Sequence, residues 1–108
     1  VAQETAKQPL RHVVLFKFKD ATSQEQVAKL VEAFRQLPKQ IPQIADFEFG
    51  VNNSSEGLSE GLTHAFLVTF KNAQDRDAYL PHPAHKAFVD QLLPHLDKAV
   101  VVDFNVSK

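Results

Sequence analysis

At 108 residues with no cysteine, the chain is sized for one hydrophobic core and offers neither disulfide staples nor a thiolate metal centre. Its formal charge of -1, from 12 Lys and Arg against 13 Asp and Glu scattered along the sequence, provides no basic stripe to follow a phosphate backbone, so nucleic acid is not an expected partner. No apolar run approaches the roughly 18–20 residues of a membrane-spanning helix, and a soluble chain is expected, cytoplasmic or exported after removal of a signal peptide.

Residues 1–9 are polar and unpatterned and are expected to form a disordered tail, which leaves 10–108 as a single domain. From Arg11 to Phe18 both parities are apolar, with His12, Val14, Phe16 and Phe18 on one face and Val13, Leu15 and Lys17 on the other. A strand of this kind needs cover on both sides, so helices are expected against one and a second subunit against the other. Thr22 with Glu25 and Ser23 with Gln26 form overlapping capping boxes. Val27, Leu30, Val31, Phe34 and Leu37 follow at helical spacing, so a core-facing helix is expected to run as far as Pro38. Ala45 to Asn52 alternates Phe47, Phe49 and Val51 with Asp46, Glu48 and Gly50, the pattern of an edge strand. The Ser-, Gly- and Asn-rich segment 52–62 is expected to be a surface loop that could gate a cavity. Thr63 to Phe70 is the third strand, with His64, Phe66, Val68 and Phe70 on one side.

Asn72 is placed to cap a short helix through Leu80. Pro81 and Pro83 disfavour helical geometry at Leu80 and His82, so within Tyr79-Leu80-Pro81-His82-Pro83-Ala84-His85 one helix should stop and another begin, with His82 in the N-cap region. The last helix is expected over Pro83 to Leu93, broken at Pro94 with His95 exposed beyond it, and Ala99 to Val106 is a β-branched closing strand. Strand, helix, strand, strand, helix, helix, strand implies α+β, a four-stranded antiparallel sheet with helices on one face.

His85 shares a helical face with Phe88, Val89, Leu92 and Leu96, so burial and the positive end of the helix dipole both favour its neutral form. An uncharged imidazole there can be a base in a dry pocket, or a core residue hydrogen-bonded to a backbone carbonyl. His82 and His85 lie three apart, yet with only Asp103 or Glu60 to add they lack a defined third ligand, and no metal is expected. The chain has no phosphate-cradling glycine motif and no serine in a strand-to-helix elbow, so no nucleotide cofactor and no serine nucleophile are expected either.

The run Arg11-His12-Val13-Val14-Leu15-Phe16-Lys17-Phe18-Lys19-Asp20, the pair Thr63-His64 and above all His82-Pro83-Ala84-His85 resemble the stress-responsive dimeric α/β-barrel (Dabb) family, from Leu10 to the C-terminus. The resemblance implies a ferredoxin-like dimeric α/β-barrel in which the sheets of a homodimer face each other. It implies a small apolar pocket for a hydrophobic carbonyl or aromatic ligand and, in the polyketide cyclases of the family, a cofactor-free intramolecular aldol condensation. His85 matches the catalytic histidine of those cyclases, Tyr79 its tyrosine partner and His12 a first-strand pocket histidine, while Phe34 stands where they carry a tyrosine. Phe16, Phe34, Phe66 and Phe88 complete the expected lining.

Proton removal beside a carbonyl needs a base poised near neutrality and a donor for the developing oxyanion. Tyr79, the one tyrosine, can meet His85 only if the chain bends between Pro81 and Pro83. Asp103, if its strand passes under His85, would fix the imidazole tautomer; otherwise it makes a salt bridge. The alternative to a catalytic site is a stress-associated dimer in which the histidines are structural.

Overall fold

The computed structural model describes residues 8–108; the expected tail falls, over residues 1–7, outside the described residues. Pro9 is tied down, its carbonyl accepting from the Val106 N–H at 2.9 Å. The elements are β1 (Leu10–Phe18), α1 (Gln24–Gln40), β2 (Ile44–Val51), β3 (His64–Phe70), α2 (Ala73–Tyr79), α3 (Pro83–Leu92), a 3-10 turn (Leu93–His95) and β4 (Leu96–Asn105). The strands form one antiparallel sheet in the order β2-β3-β1-β4. The fold is α+β and ferredoxin-like.

The apolar alternation of β1 explains its central place. Leu10, His12, Val14 and Phe16 are buried against the helices, together with Phe66, Val68 and Phe70 of β3. Leu30, Phe34 and Leu37 of α1 and Phe88 and Leu92 of α3 supply the other side of that core. Each such side chain contributes about 1.5–3 kcal/mol by leaving water. Of the two overlapping capping boxes it is Ser23 that caps, its hydroxyl accepting from the Gln26 N–H at 3.1 Å. α1 does not stop at Pro38. The proline falls in the last turn, where its missing N–H costs one bond, and the Ile41 N–H closes the helix on the Leu37 carbonyl at 2.8 Å.

The C-terminal third differs from the sequence expectation in two ways. His95 is half-buried rather than exposed, because its carbonyl accepts from the Lys19 N–H at 2.8 Å and its ring lies 3.5 Å from the Thr22 hydroxyl. β4 begins at Leu96, three residues before the β-branched run, since Asp97 and Lys98 pair with Lys17 and Glu60 at 3.2 and 3.1 Å and so read as surface in the sequence.

Ladder partners point the same way, so the register also defines the helix-free face. Arg11, Val13, Leu15 and Lys17 share it with Ala65, Leu67 and Thr69 of β3 and with Lys98, Val100, Val102 and Phe104 of β4. Val102 and Phe104 are about half exposed there. Among the described residues no helix is long and apolar enough to cross a membrane.

Candidate functional site

The two-proline elbow forms because each helix end finds a local partner. Asn72 caps α2 through its side-chain oxygen, which accepts from the Asp75 N–H at 2.9 Å. At the other end the Leu80 N–H reaches the Arg76 carbonyl and the His82 N–H reaches that of Tyr79, both at 3.1 Å. His82 then caps α3, its Nδ1 accepting from the Ala84 N–H at 3.0 Å, while Pro83 fills the first helical position, where no N–H is needed. The turn sends α3 off to pack on α1 while its first turn stays beside the end of α2, and the rings of Tyr79 and His85 lie 4.3 Å apart. Six residues of continuous helix would have separated them.

His85 Nδ1 is 2.9 Å from the Leu80 carbonyl oxygen. A carbonyl can only accept, so Nδ1 carries the proton and the neutral ring keeps a lone pair on Nε2. Burial lowers the His85 pKa; the Leu80 bond pulls it back up, and His12 and His82 push it down further. Both arrangements considered for this residue are therefore present in part, a backbone tether on one nitrogen and a free base on the other. The ring is half-buried and opens on a notch of about 340 Å³ lined with Leu80, Lys86, Val89 and Asp90. Tyr79 is 1% exposed, and burial raises its pKa, so the phenol stays a proton donor at neutral pH.

His12 faces Tyr79 from below, with ring centroids 5.8 Å apart in an edge-on arrangement. Its Nδ1 donates to Asp103 Oδ1 at 2.7 Å. The other oxygen, Oδ2, accepts from Arg76 Nη1 at 3.1 Å. Asp103 therefore does not orient His85. The β1–β4 register places it directly beside His12, on the sheet, and the Leu80 carbonyl sets the His85 tautomer instead.

Phe16, Phe34, Phe66 and Phe88 come together, but as one another's packing partners. Phe34 lies 4.5 Å from Phe66, 4.7 Å from Phe88 and 6.1 Å from Phe16, and all four rings are buried. Rings converging from the sheet and from two helices carry enough volume to close the space between those layers. The Thr63-His64 pair sits at the other end of β3 from Phe70, the ring on which Tyr79 packs; His64 stacks on Phe66 and meets Phe18 edge-on. Sequence reasoning passed over Arg76, which stands between Asp75 and Asp77 and reads there as ordinary surface helix charge.

The sequence profile described as "Stress responsive A/B Barrel Domain" matches residues 10–106. The chain belongs to this family. It is 38% identical over 101 residues to the stress-response A/B barrel domain-containing protein HS1 of Arabidopsis thaliana, covering 94% of this chain and 93% of that protein. It is 28% identical over 99 residues to the olivetolic acid cyclase of Cannabis sativa, covering 92% and 98%. Among solved structures, the hydroxynitrile lyase of Passiflora edulis superposes with a TM-score of 0.89 at 23% identity over 94% of this chain and 96% of that one. A dimeric ferredoxin-like protein of unknown function from Thermobifida fusca gives 0.76 at 29% identity over 92% of each. In chemical outline, this A/B barrel domain sets a phenol donor beside an imidazole with one free basic nitrogen, and holds the phenol from behind with a second imidazole anchored to a carboxylate.

Proposed function

We propose that this A/B barrel domain acts as a homodimer that binds a small hydrophobic carbonyl or aromatic ligand at the Tyr79–His85 pair and catalyses a cofactor-free, aldol-type ring closure. The observation that carries the reading is the 4.3 Å approach of the two rings with His85 Nδ1 committed to the Leu80 carbonyl. His85 Nε2 takes the proton from a carbon beside a ligand carbonyl. The Tyr79 hydroxyl donates to that carbonyl oxygen as enolate charge develops on it. The enolate carbon bonds to a second carbonyl carbon of the same ligand, and the resulting alkoxide recovers the proton from the His85 imidazolium. The likeness to olivetolic acid cyclase over 92% of the chain supports the substrate class. The apolar, helix-free sheet face and the dimeric ferredoxin-like neighbours support the homodimer.

The test is a panel of β-keto and phenolic compounds screened for binding and turnover against the wild type, His85→Ala and Tyr79→Phe. Loss of a positioned acid–base group should lower turnover by about 10²–10⁴-fold while far-ultraviolet circular dichroism is unchanged. His85→Ala that turns ligand over like the wild type sinks the proposal, and His85→Ala that unfolds makes the histidine structural. A second reading is favoured by the closed packing of Phe16, Phe34, Phe66 and Phe88. In it the domain is a non-catalytic homodimer whose open sheet face serves self-association, and no compound in the panel is consumed.

A further inference from the structure

Tyr79 is the only buried residue of the seven-residue α2, so little of that helix is anchored by apolar burial. Beside Tyr79, which packs on Phe70 and His12, the residue that ties α2 to the sheet is Arg76. Its Nη1 donates to Asp103 Oδ2 at 3.1 Å and its Nε donates to Asp77 Oδ1 at 3.0 Å. Arg76 and Asp103 are both about three-quarters buried, at 24% and 22% side-chain exposure, so their attraction is screened less than that of the surface pairs. Asp103 is shared, one oxygen for Arg76 and the other for His12 Nδ1. His12 lies edge-on to Tyr79, and Tyr79 lies against His85. One unbroken chain of contacts thus runs from Arg76 through Asp103, His12 and Tyr79 to His85.

We propose that Arg76 is a positioning residue for the Tyr79–His85 pair: its ion pair with Asp103 clamps α2 to β4 and aligns His12 behind Tyr79, fixing where the phenol presents its hydroxyl. The catalytic side of this inference rests on the function proposed above; the positional side does not. The side-chain hydrogen bonds of Arg76 go to Asp77 and Asp103 rather than to either ring of the pair, so it acts through the carboxylate and through its own helix. A guanidinium suits the task, because it stays charged when partly desolvated and its two donors reach separate carboxylates from one fixed plane.

The chain itself provides the readout. It has one tyrosine and no tryptophan, so near-ultraviolet circular dichroism and emission in the tyrosine band report on Tyr79 alone. Arg76→Met should lose tyrosine-band ellipticity while far-ultraviolet dichroism and cooperative unfolding remain, and Arg76→Lys, which restores the charge opposite Asp103 but not the second, planar donor, should recover part of the band. Should Arg76→Met fail to fold, the nearly isosteric Asp103→Asn leaves the arginine in place and should lose the same signal. A wild-type tyrosine band in Arg76→Met or in Asp103→Asn overturns the proposal, and so does an Arg76→Lys variant as impaired as the methionine one. With a turned-over β-keto compound, Arg76→Met should lower kcat by about tenfold to a hundredfold with little change in KM, the cost of a small misplacement of reacting groups. An unchanged kcat overturns the positioning role in catalysis. Absence of turnover in the wild type sinks the proposed enzyme instead and leaves the tyrosine signal to judge Arg76.

Discussion

Replacing Phe34 by alanine probes the packing on which the site is built. The ring is 2% exposed and meets four others, Phe66 at 4.5 Å, Phe88 at 4.7 Å, Phe47 at 5.1 Å and Phe16 at 6.1 Å. Truncating a buried phenylalanine costs about 3–5 kcal/mol, and aromatic pairs add roughly 0.5–1.5 kcal/mol each beyond the area they bury, which places Phe34 at the upper end of that range. A domain of this size has about 5–15 kcal/mol in total, so Phe34→Ala should keep only part of its stability and melt well below the wild type. Urea unfolding followed by far-ultraviolet dichroism measures the loss as a shift in midpoint at constant slope. A cost below about 1.5 kcal/mol would mean that the surrounding rings already border open space, and the filled-core account would fail. Phe34→Tyr sharpens the test. A hydroxyl without a partner in close packing costs about 1–3 kcal/mol, whereas one facing a cavity is nearly free.

Two further outcomes follow from the geometry. Burial lowers the His85 and His64 pKa values, so the unfolded chain takes up protons that the folded rings resist. Their contribution is flat above the ordinary histidine value of about 6.5 and becomes destabilising as pH falls from there towards the lowered folded values; urea midpoints at about pH 7.5 and 5.5 should show it, and His85→Ala should remove only its own share of the slope. An unaltered slope in that variant would mean that His85 is freely hydrated. On the helix-free face, Leu15→Glu places a carboxylate in the apolar centre shared with Leu67 and Val100, next to partly exposed ladder neighbours. Light scattering at micromolar concentration should give twice the chain mass for the wild type and the single mass for the variant; a monomeric wild type, or a variant that stays paired, contradicts self-association through this face.

What could be read from the sequence was what local chemistry decides. The two-sided apolar alternation of Arg11–Phe18, one of the two overlapping capping boxes, the Asn72 cap and the interruption at Pro81 and Pro83 each act within a few residues, and each appears where expected, the strand starting one residue earlier at Leu10. The elbow even allowed the approach of Tyr79 to His85 to be stated as a condition, which the fold meets. Pro38 escaped because a proline in a final turn costs one bond and tertiary packing of Leu37 and Ile41 outweighs it. The salt bridge considered for Asp103 is present, but with which partners it forms escaped for a different reason. Its partner depends on the side of β1 to which β4 adds and in which register, and neither is encoded near residue 103. The same holds for Arg76, whose acceptor on the sheet is 27 positions away. Nor could side-chain types alone say whether Phe16, Phe34, Phe66 and Phe88 enclose a space or fill it; that depends on volumes meeting in three dimensions.

The two outer strands are not guarded alike. β2 carries Asp46 and Glu48 and an irregularity between Ile44 and Asp46, features that discourage another chain from adding to its edge. β4 keeps its charges, Asp97, Lys98 and Asp103, towards its two ends, and between them Val100, Val101 and Val102 run uncharged with the last two 55% exposed. The least guarded stretch of edge on an isolated chain is therefore this short valine run, and a lysine placed at Val101 would be the economical way to blunt it.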